Sequence, residues 1–316
     1  MKRLGIYFFF DKDGIADDYV FYFLDQLHSV CQEVCIVING ALTDNSHQKL
    51  QKYTHKLIQR ENKGLDAEAI KAALASYSLA DLQPFDELVV CNFTAFGPMY
   101  PFSEMFDSMA AKQCDLWGPY RWTVYLEKQH TFIHPLPSYF IVFRKNLFLD
   151  DTFQQYWRQL PPIHSYEDSV ILHEHQMTSY FEKNGFKVGA YIDHQQFRPY
   201  WKILWPFYCA ESLLQNYRCP LLKRRQFFIE DGHFTWGWNN LEIVHYLKQK
   251  GLYDISLIYK NICRTQPIHT LPRHNFNYQG LCRYIKSWLH YNPLKRAKNK
   301  YYLTTQQDFH QAFKGK

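Results

Sequence analysis

Short apolar runs alternate with amphipathic stretches along the first 93 residues, and this alternation restricts the chain to few folds. The opening run RLGIYFFF (3–10) is apolar almost throughout, as a strand buried on both faces must be. ADDYVFYFLDQLHSV (16–30) then sets Tyr19, Val20, Phe23, Leu24 and Leu27 at helical spacing, with Asp17 and Asp18 favourable at the positive end of the helix. EVCIVING (33–40) reads as a second strand closed by an Asn-Gly turn. A helix around 46–55, a short strand KLIQRE, an alanine-rich helix over 66–77 with Asp66 as N-cap, and a strand DELVVCNF (86–93) follow. Such an order predicts an α/β fold, a Rossmann-type, mainly parallel sheet flanked by helices, whose ligands bind beyond the carboxyl ends of the strands. The loops at 11–18, 39–45, 61–66 and 92–98 are then expected on one rim.

The middle of the chain continues with expected strands at 114–122 and 137–148 around a loop holding His130 and His134, then a helix, a glycine turn and a strand over 169–191. After residue 200 the pattern loosens, with a helix expected at 240–250 and another at 278–290, so a boundary is placed near 205. A chain of 316 residues with 47% hydrophobic content can bury a sizeable core. Met1-Lys2-Arg3 leads directly into a strand rather than a signal-peptide core, and no apolar run approaches the roughly 20 residues that span a bilayer. Eight cysteines without a CxxC, mostly inside apolar runs, are expected in a reducing compartment. A net charge of +6 suits a phosphate-bearing ligand or an anionic membrane face and is too weak to argue for nucleic acid.

Several residue groups carry chemistry. The acidic stretch from Asp11 to Asp18 is not a calcium loop, because its glycine falls fourth rather than sixth and the twelfth residue is Tyr22 rather than Glu. Asp17 and Asp18 could simply begin a helix, which leaves Asp11 and Asp13 at a strand end within reach of a ribose, base or sugar hydroxyl. ENKGLDAEA (61–69) presents backbone N–H groups and short polar side chains to a polyol or phosphate, or forms an ordinary capped turn. Asn92 and Thr94 offer hydrogen bonds at the fourth strand end but no negative charge for a metal. In HEHQM, His173 and His175 lie two apart on a helix and face different ways, and the pattern is not HExxH. Glu174 between them can act as a general base or be a solvated helical residue. Lys223-Arg224-Arg225 and Lys295, Arg296, Lys298 and Lys300 form solvated faces, or, for the last run, a rest on anionic lipid.

RLGIYFFFDKDGIADDYVFYFL, ENKGLDAEA, FDELVVCNFTAFGPMYPFSEMF, DLWG, LPSYFIVFRK, HEHQMTSYFEKNGFKVGAY and CPLLKRR, taken in order, resemble the rhamnan synthesis protein F family of bacterial polysaccharide glycosyltransferases. The resemblance runs from about residue 3 to 228. It implies a GT-A-like fold, with a nucleotide-sugar-binding and catalytic domain over 1–205 and a smaller, mostly helical extension over 206–316 that is membrane-associated or acceptor-binding. It also implies a nucleotide-sugar donor, typically dTDP-L-rhamnose, and a lipid-linked oligosaccharide as acceptor. The expected transfer is inverting. Without a signal core or a spanning run, the protein is expected in the cytoplasm, peripheral to the inner face of the plasma membrane. Glu174 takes the position of the base. The expected donor contacts are Asp11, Asp13, Asp17, Asn39, Asn62, Gly64, Asp66, Asn92 and Thr94. Ser138, Tyr139, Arg121, Lys223 and Arg224 are expected to meet the acceptor or the phosphates. The family usually reads Cys-Asn-Asp-Ser where this chain has Cys91-Asn92-Phe93-Thr94. Without that acid, Mg2+ or Mn2+ dependence and metal independence both stay open. So do a UDP-galactofuranose or UDP-hexose donor and a catalytically silent scaffold.

Overall fold

A computed structural model describes residues 1–126, 130–193, 209–228 and 240–267. Its strands are β1 (Arg3–Phe10), β2 (Glu33–Asn39), β3 (Lys56–Arg60), β4 (Glu87–Asn92), β5 (Ala95–Phe96), β6 (Leu116–Tyr120), β7 (Val124–Leu126), β8 (Thr131–Ile133), β9 (Phe140–Arg144), β10 (Val188–Ile192) and β11 (Leu222–Lys223). Its α-helices are α1 (Asp18–His28), α2 (Asp44–Gln51), α3 (Leu65–Ala75), α4 (Leu79–Leu82), α5 (Phe102–Ala110), α6 (Lys145–Phe148), α7 (Asp151–Gln159), α8 (Tyr166–Asp168), α9 (His175–Lys183), α10 (Ala210–Gln215), α11 (Asn240–Lys250) and α12 (Ile255–Thr265). A π-helical turn, Ser169–Glu174, runs into α9.

Seven strands form one sheet in the order β10-β6-β9-β4-β1-β2-β3, in which only β9 is antiparallel to its neighbours. This is the mainly parallel, helix-flanked sheet that the alternation of elements predicted, and it agrees with the GT-A-like fold that the family resemblance implies. The side chains of β1 show why its run is apolar throughout. Tyr7 and Phe9 enter the core that holds α1, α5 and α10–α12, while Leu4, Ile6 and Phe8 enter the core of α3, α6, α7 and α9. The two-residue strand period thus feeds both layers at once. The described residues of the extension, 209–228 and 240–267, contribute Leu213, Leu214, Ile243, Leu247, Ile258 and Ile262 to the first of these cores.

Some expectations change in detail. The helix expected at 46–55 runs 44–51, because Thr43 caps it through Ser46. The stretch 137–148 is strand only over 140–144 and then turns into α6. The periodicity reading had no counterpart for α5, α7 and α12. The expected helix at 278–290 and the basic run at 295–300 lie outside the described residues.

At the far end of the sheet from the expected site, Arg3, Glu87 and Arg144 stand side by side on β1, β4 and β9. The Glu87 carboxylate, 2% exposed, accepts from Arg3 Nε at 2.6 Å, lies 3.6 Å from Arg144 Nε and meets the Trp117 indole at 3.4 Å. Removing one member of such a buried set strands the others. Glu87→Ala is therefore expected to lower unfolding stability by about 3 kcal/mol in urea titration, and a loss below about 1 kcal/mol would show the row to be dispensable.

Candidate active site

The carboxyl ends of β1, β2, β3 and β4 lie together, with Phe10 paired to Asn39, Asn39 to Arg60, and Phe8 to Asn92. Because β9 runs antiparallel, it is its start that reaches this rim: Phe140 pairs with Cys91, so Ser138 and Tyr139 stand beside Asn92. Tight backbone contacts bind the rim loops to one another. Gly14 has φ +69°, and a Cβ there would meet the Ala41 carbonyl oxygen at 2.7 Å. Its own carbonyl accepts from the Thr43 N–H at 2.9 Å. Only glycine allows that approach.

The strand ends carry a directional relay. Asp66 Oδ1 accepts from the Ser169 hydroxyl at 3.0 Å, and Oδ2 accepts from Asn92 Nδ2 at 3.2 Å. Asn92 Oδ1 accepts from the Thr94 hydroxyl at 2.6 Å and the Thr94 N–H at 3.0 Å. The Thr94 hydroxyl in turn accepts from Lys223 Nζ at 3.3 Å. Lys223 lies 4.1 Å above the Tyr139 ring, whose hydroxyl donates to Tyr120 at 3.0 Å. Across from the relay, Glu174 Oε2 accepts from both the N–H (2.8 Å) and the hydroxyl (2.7 Å) of Ser138. Lys223 is half-buried, with the Tyr139 ring beneath its ammonium. Burial pushes its pKa down to about 8, against the opposing pull of Glu174 and Asp66, and Arg225 lowers it further.

Asp66 does not cap α3. The cap position is Gly64, in the left-handed conformation at φ +70°, and Leu65 follows at φ +50°. A non-glycine residue there is strained. The Leu65 carbonyl accepts from Asn39 Nδ2 at 3.2 Å, and the same amide reaches Asn62 Oδ1 at 3.3 Å. Arg60 Nη1 donates to Asn39 Oδ1 at 2.9 Å and to the Lys63 carbonyl at 2.8 Å. The buried Asn39 is thus the tie between β2, β3 and the start of α3.

The acidic loop meets a residue that periodicity did not single out. Arg264, on α12, donates to Asp11 (2.6 Å), Asp17 (2.8 Å) and Asp13 (3.3 Å). Asn261 adds a 2.5 Å bond to Asp17. Asp17 occupies the N-cap position of α1 without a side-chain cap bond. Asp18 belongs to the helix and faces Lys260 at 3.5 Å. Burial acts to raise the Asp11 pKa, but the hydrogen bonds from Arg264 and from the N–H groups of Ile15 and Asp13 outweigh it and hold the carboxyl below its ordinary range.

The expected cations part company. Arg224 donates to Asn261 at 2.9 Å and Thr265 at 3.4 Å, and lies over Tyr19 and Phe93. Arg121 bonds the His134 carbonyl and Glu182, two turns along α9 from Glu174. Of these three, Lys223 is the one at the centre of the rim. Sequence reasoning also passed over Ser169, Asn261 and Arg264. Asp254 followed by Ile255, Ile258 and Ile262 was the available signal for α12. His173 Nδ1 meets the Tyr156 hydroxyl at 2.8 Å, and burial pushes the His175 pKa down to about 4.

Arg264→Met is expected to cost about 2 kcal/mol at neutral pH, the partial exposure of the cluster reducing the full buried-pair value. The stability contributed by a carboxyl with a depressed folded pKa is present above the ordinary carboxylate range and lost as pH falls. The gap between wild type and Arg264→Met in denaturant unfolding should therefore close below about pH 4. Lys223 itself is expected to titrate near pH 8 in NMR of 13C-methylated lysines; a midpoint near the ordinary value of about 10.4 would show an open, hydrated ammonium.

Comparison with known proteins gives three likenesses at low identity. The uncharacterized protein y4gN of Sinorhizobium fredii is 24% identical over 189 residues, 59% of this chain and 48% of that protein. The chain thus spans about half the length of this curated relative. Among solved structures, 4-diphosphocytidyl-2C-methyl-D-erythritol synthase of Anaerococcus prevotii is 12% identical with a TM-score of 0.40, over 64% of this chain and 88% of that one. Glucosyl-3-phosphoglycerate synthase of Mycobacterium tuberculosis, in complex with Mg2+ and uridine diphosphate, is 14% identical with a TM-score of 0.38, over 60% and 68%. The family match to rhamnan synthesis protein F covers residues 34–292. It begins after β1 and the acidic loop and extends well past residue 228, where the motif resemblance stopped. Covering β2 to β11, the relay, Glu174 and α12, this match makes the chain a member of the rhamnan synthesis protein F family.

Proposed function

We propose that the protein is an inverting glycosyltransferase of cell-surface polysaccharide assembly, moving L-rhamnose from dTDP-L-rhamnose onto a lipid-linked oligosaccharide. The observation that carries this reading is the meeting, at one sheet rim, of a fixed carboxylate, Glu174, with the half-buried Lys223 and the Asp66–Asn92–Thr94 relay. Family membership supports the polysaccharide context.

On this reading the donor lies across the ends of β1, β2 and β4. Asp11, Asp13, Asn39 and Asn62 meet its nucleoside end; Gly64, Asp66, Asn92 and Thr94 meet its diphosphate and sugar. Asp17 shapes the first loop through Arg264. The acceptor enters beside Ser138, which fixes Glu174 Oε2 from two sides and leaves Oε1 for the incoming hydroxyl. The acceptor proton passes to Glu174 as its oxygen bonds the anomeric carbon from the face opposite the phosphate. The carbon–phosphate oxygen bond breaks, and its electron pair leaves on the nucleoside diphosphate. Holding the two reactants in line can remove roughly 7–11 kcal/mol of barrier. A lipid-linked acceptor implies action at the cytoplasmic membrane face. No described helix is long and apolar enough to cross a membrane, and the net charge of +6 favours a peripheral approach to anionic lipid.

Glu174→Gln is expected to lower transfer by about two to four decades while retaining dTDP binding, measured by radiolabelled transfer and calorimetry. Wild-type turnover in that variant would remove Glu174 from the role. Transfer across a panel of dTDP-L-rhamnose, UDP-galactofuranose and UDP-hexoses identifies the donor, and an absence of both dTDP and UDP binding would make the protein a scaffold.

A further inference from the structure

The carboxylates of the rim are already engaged by internal partners. Asp11 and Asp17 share the Arg264 guanidinium, with Asp13 at its edge. Asp66 accepts on both oxygens, from Ser169, the Ala67 N–H and Asn92, and Glu174 Oε2 accepts twice from Ser138. Among the described residues no three His, Cys, Asp or Glu side chains are arranged to hold a metal. Where the family carries an acid, the Phe93 ring stands edge-on to Phe8 and Phe10, 5.6 and 6.4 Å between centroids, beneath the Arg224 guanidinium. A hard divalent cation seeks several oxygen ligands carrying negative charge. Here it would find an aromatic plug, an amide, a hydroxyl and a neighbouring ammonium. The residues do not fit such an ion.

Lys223 offers what a cation would supply. The strand pair β5–β11 aims it at the end of β4, and the Tyr139 ring supports it from below. Its ammonium has three donors, and among the described residues one is engaged, by Thr94. The charges facing it are Asp66 from α3, Glu174 from the π turn, and Arg225 from its own segment. A diphosphate beside Asn92 and Thr94 would meet the remaining donors next to the Tyr139 ring.

We propose that Lys223 is the cation that takes up the charge of the donor's diphosphate, and that the protein binds its nucleotide without a divalent metal. This rests on the nucleotide-sugar reading of the rim. In the transfer step the pair released from the anomeric carbon collects on the diphosphate oxygens against the Lys223 ammonium, so no metal-bound species is needed.

The test is calorimetric titration of the full-length protein with dTDP, with UDP and with the uncharged nucleosides thymidine and uridine, each in excess chelator and in saturating Mn2+. Wild-type affinity for the nucleotide that binds should differ by less than about threefold between the two conditions, since among the described residues no three acidic, His or Cys side chains are grouped to ligate the ion. Lys223→Met should weaken the diphosphate by roughly tenfold to a hundredfold and leave the matching nucleoside unchanged, while Lys223→Arg restores most of the loss. Electron paramagnetic resonance of Mn2+ with the protein alone should show only the free ion. Tightening of about tenfold or more by Mn2+, a stoichiometric bound Mn2+ signal, or unaltered dTDP and UDP affinity in a folded Lys223→Met would overturn the proposal. Should nucleoside bind and diphosphate add nothing, Lys223 is excluded while a nucleotide site survives. If no nucleoside or nucleotide binds in any condition, the donor reading of the rim falls and this inference with it.

Discussion

The junction between Arg264 and the acidic loop is the contact on which the rim depends. Asp17 and Arg264 are 247 residues apart in the chain, yet their side chains lie 2.8 Å apart, and Asp11 and Asp13 meet the same guanidinium. Three carboxylates on one short loop repel one another, and a single planar cation with five donors relieves that repulsion while fixing the loop's shape. The loop is also pinned from the other side, where Gly14 contacts Ala41 and Thr43. The first and last described helices, α1 and α12, are thereby joined at the point where β1 ends in the acidic loop. The described part of the extension is consequently part of the rim.

The second cation is placed by a different logic. Lys223 sits on a two-residue strand, β11, whose partner β5 follows directly from the Asn92–Thr94 turn. A short antiparallel pair of this kind contributes little stability of its own, but it sets the ammonium against a hydroxyl with small positional freedom. The aromatic floor of Tyr139 and Tyr120 then excludes water from beneath. Arg264 thus compensates charge the fold has already gathered, while Lys223 has one donor engaged, by Thr94, among the described residues.

The sheet was legible because its evidence is local. A run such as RLGIYFFF can be little other than a strand buried on both faces, and the Asn-Gly after β2 marks its end within the sequence itself. That the loops carrying Asp11, Asn39, Asn62 and Asn92 share one rim followed from the parallel alternation, whereas Glu174 comes to it by way of Ser138 at the start of the antiparallel β9. What escaped reading was pairwise and distant. Nothing near Asp17 announces Arg264. Nothing near Asp66 shows that it bonds Ser169 and Asn92 rather than capping its helix. Tyr139 reads as a ligand contact in sequence, but its hydroxyl is turned to Tyr120. Helix α12 was missed although Asp254 caps its start and Pro267 follows its end, because the amphipathic pattern between them is only eleven residues long.

The π turn at Ser169–Glu174 determines which way its last residue points. A turn of that kind holds about one residue more than an α-turn, so everything after it is rotated by about 100° relative to a continuous α-helix. Glu174 occupies the seam between the two windings, with Asp66 bonded at one end through Ser169 and Ser138 at the other. The orientation of the carboxylate is therefore a matter of phase: excising any one residue between 169 and 174 and letting an ordinary helix re-form would swing the acid away from Ser138 although Glu174 itself remained untouched.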